Sequence, residues 1–270
     1  MSRQRILRHL EALVGFDTQN PPREIDGDAD IFAHCREAVA SGFEVRSWDH
    51  GDGHVSWLAV RGRPSVLFNA HLDTVPAGDG WNRDPHTLAI EDGRAFGRGA
   101  CDIKGAAACL LAIAEQAPDH MALLFTTDEE GAGGCCVRKF LEAGEGEPFG
   151  QVVVAEPTGC RAVLGHRGYL SVRGSFEGVP GHSSEARALE DNAIHQMVRW
   201  AAAALAFARQ RKADADDPGP CLNIGLARGG TKSNVIAGEA FVHWSARLPP
   251  GEPNDEFLAA VQACAGERAK

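Results

Sequence analysis

The chain of 270 residues and 28.7 kDa has room for one large domain or two smaller ones, each with its own hydrophobic core. Apolar residues at 44% and charged residues at 24% argue against disorder, and 31 Gly and 14 Pro with a single Tyr point to many tight turns rather than a fibre. Lys and Arg number 27 against 37 Asp and Glu, a formal charge of -10 with no basic run to offset it, so neither a nucleic-acid backbone nor an anionic membrane surface is expected as a partner.

At the N-terminus Ile6, Leu7, Leu10, Leu13 and Val14 recur at helical spacing, and Glu11 interrupts any signal-peptide core. This predicts a cytoplasmic first helix. From Val55 to about Glu156 short apolar runs alternate with small-residue helical stretches, the pattern of an α/β sheet covered by helices. Three runs, residues 65–70, 121–125 and 151–155, read as buried central strands. Residues 104–116, rich in Ala and Leu, read as the crossover helix between the first two.

Beyond Gly165 the texture changes. Leu170, Val172 and Phe176 alternate with Tyr169, Ser171, Arg173 and Ser175, as in an antiparallel strand with one wet face. A helix follows with Ile194, Met197, Val198, Ala201 and Leu205 on one stripe. Residues 222–226 and 240–248 predict two strands separated by a turn at 228–231, and residues 253–270 a last helix. The sum is a β-α-β-β-α unit, one sheet covered by two helices. The apolar run 201–208 is far shorter than the ~20 residues of a membrane span. Eight Cys without a Cys-x-x-Cys pair indicate neither a thiolate zinc site nor a disulfide scaffold, and most of them, Cys135 and Cys136 included, are expected in the core.

Four clusters fall just past predicted strands, where α/β proteins build their sites. His71-Leu-Asp73 follows the first strand, Asp102 opens the crossover helix, Glu129-Glu130 follows the second strand, and Glu156 ends the third. Singly, each has an ordinary explanation, such as a helix cap at Asp102. Together they suit a hydrolytic two-metal zinc site, whose ions stand ~3.5–4 Å apart and share a bridging carboxylate. Of two adjacent glutamates, one can ligate while its neighbour serves as general base. Asp73, two residues past His71, is placed to accept the other imidazole N–H.

Asn69-Ala-His-Leu-Asp-Thr-Val-Pro76, Gly97-Arg-Gly-Ala-Cys-Asp-Ile-Lys-Gly-Ala106, Thr126-Thr-Asp-Glu-Glu-Gly131 and Val154-Ala-Glu-Pro-Thr158 resemble, in order and spacing, the M20 metallopeptidases, also called the acetylornithine deacetylase/carboxypeptidase family. The resemblance implies an α/β fold, with a zinc-exopeptidase-type catalytic sheet and flanking helices over residues 1–164 and an α+β, ferredoxin-like lid and dimerisation domain over 165–270. By motif, it implies that His71 and Glu156 bind one zinc, Asp102 bridges, Glu130 binds the second zinc and Glu129 is the general base. Two zinc ions per site are implied, with cobalt as a possible substitute. A cis peptide after the bridging residue, here Asp102-Ile103, is also implied.

In the second unit, Gly181-His-Ser-Ser184 matches the segment whose histidine, His182, reaches across a homodimer to stabilise an oxyanion. Asn234 and Arg247 match substrate-carboxylate contacts. Asp17-Thr-Gln-Asn-Pro-Pro22 and the Ala155-Glu-Pro-Thr158 ending are most similar to the acetylornithine and acetylcitrulline deacetylases of arginine biosynthesis, with succinyl-diaminopimelate desuccinylases and carboxypeptidase-like members as alternatives. The expected substrate is a small N-acyl amino acid, and the expected location cytoplasmic. Members of the family continue past the lid to complete the catalytic sheet and supply a last histidine ligand. On that pattern the C-terminal return of the catalytic domain is expected to be absent from this chain, leaving a weakened second zinc, an open sheet edge, poor solubility and, as an alternative reading, an inactive dimerising fragment.

Overall fold

In the computed structural model, which describes residues 2–22, 25–131, 135–211 and 219–265, Ser2 caps the first helix by accepting the Arg5 backbone N–H. That helix, α1 (Arg3–Gly15), buries Leu10, Leu13 and Val14, the spacing read from the sequence. After α2 (Asp30–Ala38) come β1 (Glu44–Asp49), β2 (Val55–Arg61) and β3 (Val66–His71). A short exposed hairpin, β4 (Ala89–Glu91) and β5 (Arg94–Phe96), leads to α3 (Lys104–Ala114), then β6 (Met121–Thr126), α4 (Cys135–Glu142) and β7 (Gln151–Val154).

The sheet order is β1-β2-β6-β3-β7. β1, β2 and β6 pair antiparallel, while β3 runs parallel to both β6 and β7. Side chains alternate across its two faces. Met121, Leu123 and Phe125 of β6 join the core formed with α1, α2 and α3, where Trp57 stacks on Phe125 at 5.4 Å; Ala122 and Leu124 join a second core with Phe140 of α4. The small residues of α3 bring it close to the sheet, with Ala107, Ala108, Leu111 and Ala112 fully buried.

The expectation of three buried central strands holds for β6 and largely for β3, but not for β7. Val152, Val153 and Val154 are about half exposed, because β7 is the edge strand and, among the described residues, pairs with β3 alone.

The chain forms two compact units, Met1–Arg161 and Ala162–Lys270. The second unit contains β8 (Gly168–Glu177), β9 (Gly181–His182), α5 (Ala193–Gln210), β10 (Cys221–Gly229), β11 (Val235–Ile236), β12 (Glu239–Leu248) and α6 (Asn254–Ala263). An antiparallel sheet, β10-β12-β8, lays Phe176, Val242, Trp244 and Ala246 against α5 and α6, and the Trp200 indole N–H donates to the Val261 carbonyl at 3.1 Å. The buried stripe of α5 is Ala193, Trp200, Ala204 and Ala208. Val198, placed on the stripe by its hydropathy, is exposed, because the helix is turned so that the large Trp200 ring packs against Phe176 and Trp244. Residues 266–270 of the expected last helix lie outside the described residues.

The cysteines also differ from expectation. Cys35, Cys135 and Cys136 are buried, but Cys101, Cys160 and Cys221 are exposed, the first two in loops and the third at the start of the edge strand β10. Among the described residues, no helix is long and apolar enough to cross a membrane.

Candidate metal centre

Parallel pairing of β6, β3 and β7 aligns the carboxyl ends of three adjacent strands. His71 lies opposite Thr126, and Asn69 opposite Val154. Glu129 and Glu130 therefore leave β6, and Glu156 leaves β7, at the edge where His71 ends β3. Asp102 reaches the same place from the turn before α3. It is not the helix cap, a position held by Ile103, and the Asp102–Ile103 peptide is cis.

His71 is the hub. Its Nδ1 lies 3.0 Å from the Asp73 backbone carbonyl, which can only accept, so Nδ1 carries the proton and the Nε2 face is turned to Asp102 Oδ1 at 3.2 Å. Two sets of potential ligand atoms lie within 4.8 Å of one another: His71, Asp102 and Glu156, and His71, Glu129 and Glu130. Asp73 is fully buried, with Oδ1 3.5 Å from His71 Nδ1 and Oδ2 accepting the Glu130 backbone N–H at 2.9 Å. One carboxylate thus ties together the two strand ends that carry His71 and Glu130.

The electrostatics match the geometry. Burial pushes the Glu130 and Glu156 carboxyls upward, with neighbouring carboxylates adding to the push and His71 opposing it. Burial alone would lower His71, but the hydrogen bonds and charge of Asp73 outweigh it and raise the imidazole to about 9. Four carboxylates converge here on a single histidine. Oxygen-rich donors with one imidazole and no thiolate fit hard or borderline divalent cations such as zinc.

Further residues brace the centre, and the sequence reading assigned them no role. Thr18 Oγ1 donates to the Leu72 carbonyl, Asn20 Nδ2 to the Thr127 carbonyl, and the Asn20 and Thr74 backbone N–H groups to the Thr74 and Thr18 carbonyls. Asp128 is buried and accepts the Cys135 and Cys136 backbone N–H groups, capping α4. Lys104 is fully buried, and burial pulls its ammonium down to about 7 against the charges of Asp17 and Asp73. Nothing in the local sequence signals these latches, because the Thr18 and Asn20 partners lie 54 and 107 residues away.

The remaining candidates belong to the second unit. His182 is exposed on β9, opposite Val235 of β11, with Nδ1 2.8 Å from Ser184 Oγ and its backbone N–H donating to Glu185. Asn234 precedes β11, and its carbonyl accepts the Ser183 N–H at 3.1 Å, so His182 and Asn234 share one small ribbon. Arg247 stands on the open face of β12, its guanidinium 4.3 Å from the centroid of the Tyr169 ring.

The model of peptidase family M20/M25/M40 matches residues 67–270. The N-acetyl-L-citrulline deacetylase of Xanthomonas campestris pv. campestris is 45% identical over 257 residues, covering 94% of this chain and 69% of that protein. A succinyl-diaminopimelate desuccinylase of Acidiphilium cryptum is 38% identical over 190 residues, 65% of this chain and 50% of that one. Among solved structures, an M20 family metallo-carboxypeptidase from Sulfolobus solfataricus superposes with a TM-score of 0.75 at 17% identity, covering all of this chain and 77% of its own. A dinuclear metal binding M20 peptidase of Bacillus subtilis gives a TM-score of 0.58 at 16% identity over 99% of this chain and 72% of its own.

Proposed function

The chain belongs to peptidase family M20/M25/M40, and from that premise we propose that it is a metal-dependent deacylase that hydrolyses the amide bond of an N-acyl amino acid, N-acetylcitrulline first and N-acetylornithine next. The grouping of His71 with Asp102 and Glu156, and of His71 with Glu129 and Glu130, at the strand ends carries this reading. The 45% identical deacetylase supports the substrate class. Such a reaction belongs to arginine biosynthesis and to the cytoplasm.

Residues His71 and Glu156 would hold one cation, Glu130 the second, and Asp102 both. Zinc ions bound there, or cobalt in their place, would supply Lewis-acid polarisation of the amide carbonyl and a more acidic water. Glu129, exposed beside these ligands, takes a proton from the attacking water and returns it to the amine nitrogen as the C–N bond breaks, giving the free amino acid and the carboxylic acid. Asp73 keeps the His71 ring in one tautomer. The second unit acts as lid and dimerisation domain of a homodimer. His182 of a second copy donates to the oxyanion, with Ser184 steadying its ring, while Asn234 and Arg247 hold the substrate carboxylate.

The test is release of free amino acid from N-acetylcitrulline, N-acetylornithine and N-succinyl-diaminopimelate with added zinc or cobalt. Preference for an acetylated substrate is expected. Preference for the succinylated one, which the 38% identical relative favours, would replace the substrate assignment, and no turnover of any would overturn the reading.

A further inference from the structure

Lys104 is the least expected residue of the metal-centre region. Its side chain is fully buried at the first position of α3, two residues past Asp102, and its Nζ donates to the Phe16 carbonyl at 2.9 Å. Burying an amine is costly unless its hydrogen bonds are made, and a methionine would fill the same slot without that cost.

The contacts explain what the amine does there. Phe16 is the C-cap of α1, whose last turn carries no basic residue of its own, so Lys104 satisfies one of the carbonyls that a helix end leaves without a partner. The Lys104 backbone N–H bonds to the Gly99 carbonyl at 2.9 Å, closing the turn that carries Asp102. Its stem passes between that turn and the segment after β3. A Cβ added to Gly99 would meet Thr74 Cγ2 at 2.8 Å and Lys104 Cδ at 3.0 Å, so only glycine lets the three approach. The amine faces the carboxylates of Asp17 and Asp73 and the guanidinium of Arg98. The bond to Phe16 needs only an N–H and holds in either protonation state.

We propose that Lys104 is a positioning residue of the metal centre, clamping the Asp102 turn to the end of α1 and to the Thr74 segment so that Asp102 Oδ1 stays beside His71 Nε2. The proposal rests on reading His71 and Asp102 as metal ligands. Groups that orient ligands typically contribute about 10–100-fold in metal affinity.

The full chain is stripped of metal, and its zinc affinity is measured by competition with a chromophoric chelator for wild type, Lys104→Met, Asp102→Asn and the double variant, with near-UV circular dichroism to confirm folding. Lys104→Met should bind zinc about 10–100-fold more weakly while folded. The double variant should bind no more weakly than Asp102→Asn alone, because Lys104 acts through Asp102. A role in packing alone would lower the melting temperature and leave the zinc affinity of folded protein unchanged, which overturns the proposal, as do losses that multiply. If Lys104→Met does not fold, Lys104→Arg, which keeps a donor, carries the test. Near-normal zinc affinity supports the clamp, and a tenfold or greater loss in folded Lys104→Arg overturns it. Wild type that takes up no zinc overturns the ligand reading and the clamp together, whereas equal uptake by wild type and Lys104→Met overturns the clamp alone.

Discussion

Replacing Asp73 with asparagine separates the two things this buried carboxylate does for His71, since the shape is kept and the charge is lost. In the metal-free protein Asp73 holds the imidazole at about 9 against the downward pull of burial, from an ordinary value of 6.5. That rise corresponds to roughly 3 kcal/mol at about 1.4 kcal/mol per pH unit. A metal must displace the proton, so zinc and proton compete at His71. Below a pKa of about 9 the apparent zinc affinity of the wild type should climb about tenfold per pH unit, roughly a hundredfold between pH 7 and 9. In Asp73→Asn the side-chain hydrogen bond and charge are lost and only the residue-73 backbone carbonyl and Glu129 still oppose burial, so the His71 pKa should fall and the slope above neutrality should shrink. Its plateau affinity should lie about 10–100-fold below the wild-type plateau, because a neutral amide leaves the imidazole less basic and less firmly held. The assay is chelator competition at half-unit pH steps, paired with the His71 ring titration by NMR in metal-free protein. A wild-type profile flat from pH 7 to 9, or parallel profiles for the two proteins, would refute the argument.

Glu129→Gln should lower kcat by about 10²–10⁴ with zinc content unchanged, as measured by turnover and metal analysis; near-normal kcat would place the base elsewhere. Mixing inactive Glu129→Gln with inactive His182→Ala should restore part of the activity, since a heterodimer has one site with both groups, and no recovery after confirmed subunit exchange would count against action across the dimer. Burial holds both His9 and His34 below the usual 6.5, with Glu115 opposing it at His9, and their rings lie 3.1 Å apart at His9 Nδ1 and His34 Nε2. On acidification the unfolded chain takes up these protons first, so their contribution is complete above about 6.5 and is lost as pH falls toward the lowered values. Thermal melts from pH 7.5 to 5.5 should therefore fall more steeply for wild type than for His34→Gln, and equal slopes would contradict the assignment.

The motifs revealed the strand-end residues because each cluster sits within a few residues of its strand, and parallel pairing of β6, β3 and β7 then brings them together. What stayed hidden was set by partners distant in the chain. The Thr18 bond to Leu72 spans 54 residues, that of Asn20 to Thr127 spans 107, and that of Lys104 to Phe16 spans 88. No local pattern encodes such pairings. Hydropathy failed where context decided burial: the valines of β7 look like a core strand but lie at an edge, and the Trp200 ring turned α5 away from its nominal stripe. Neither the hairpin β4–β5 nor the edge strand β1 has a run apolar enough to stand out from its flanks.

The central claim is that the clustered carboxylates and His71 form a metal centre. Anomalous diffraction at the zinc edge, from crystals of the full chain grown with zinc, tests it directly. The account predicts zinc coordinated at about 2.0–2.2 Å by His71 Nε2, Asp102 and Glu156, with any second ion on Asp102 and Glu130. Zinc bound only elsewhere, with His71 and Asp102 still hydrogen-bonded to each other, would contradict it.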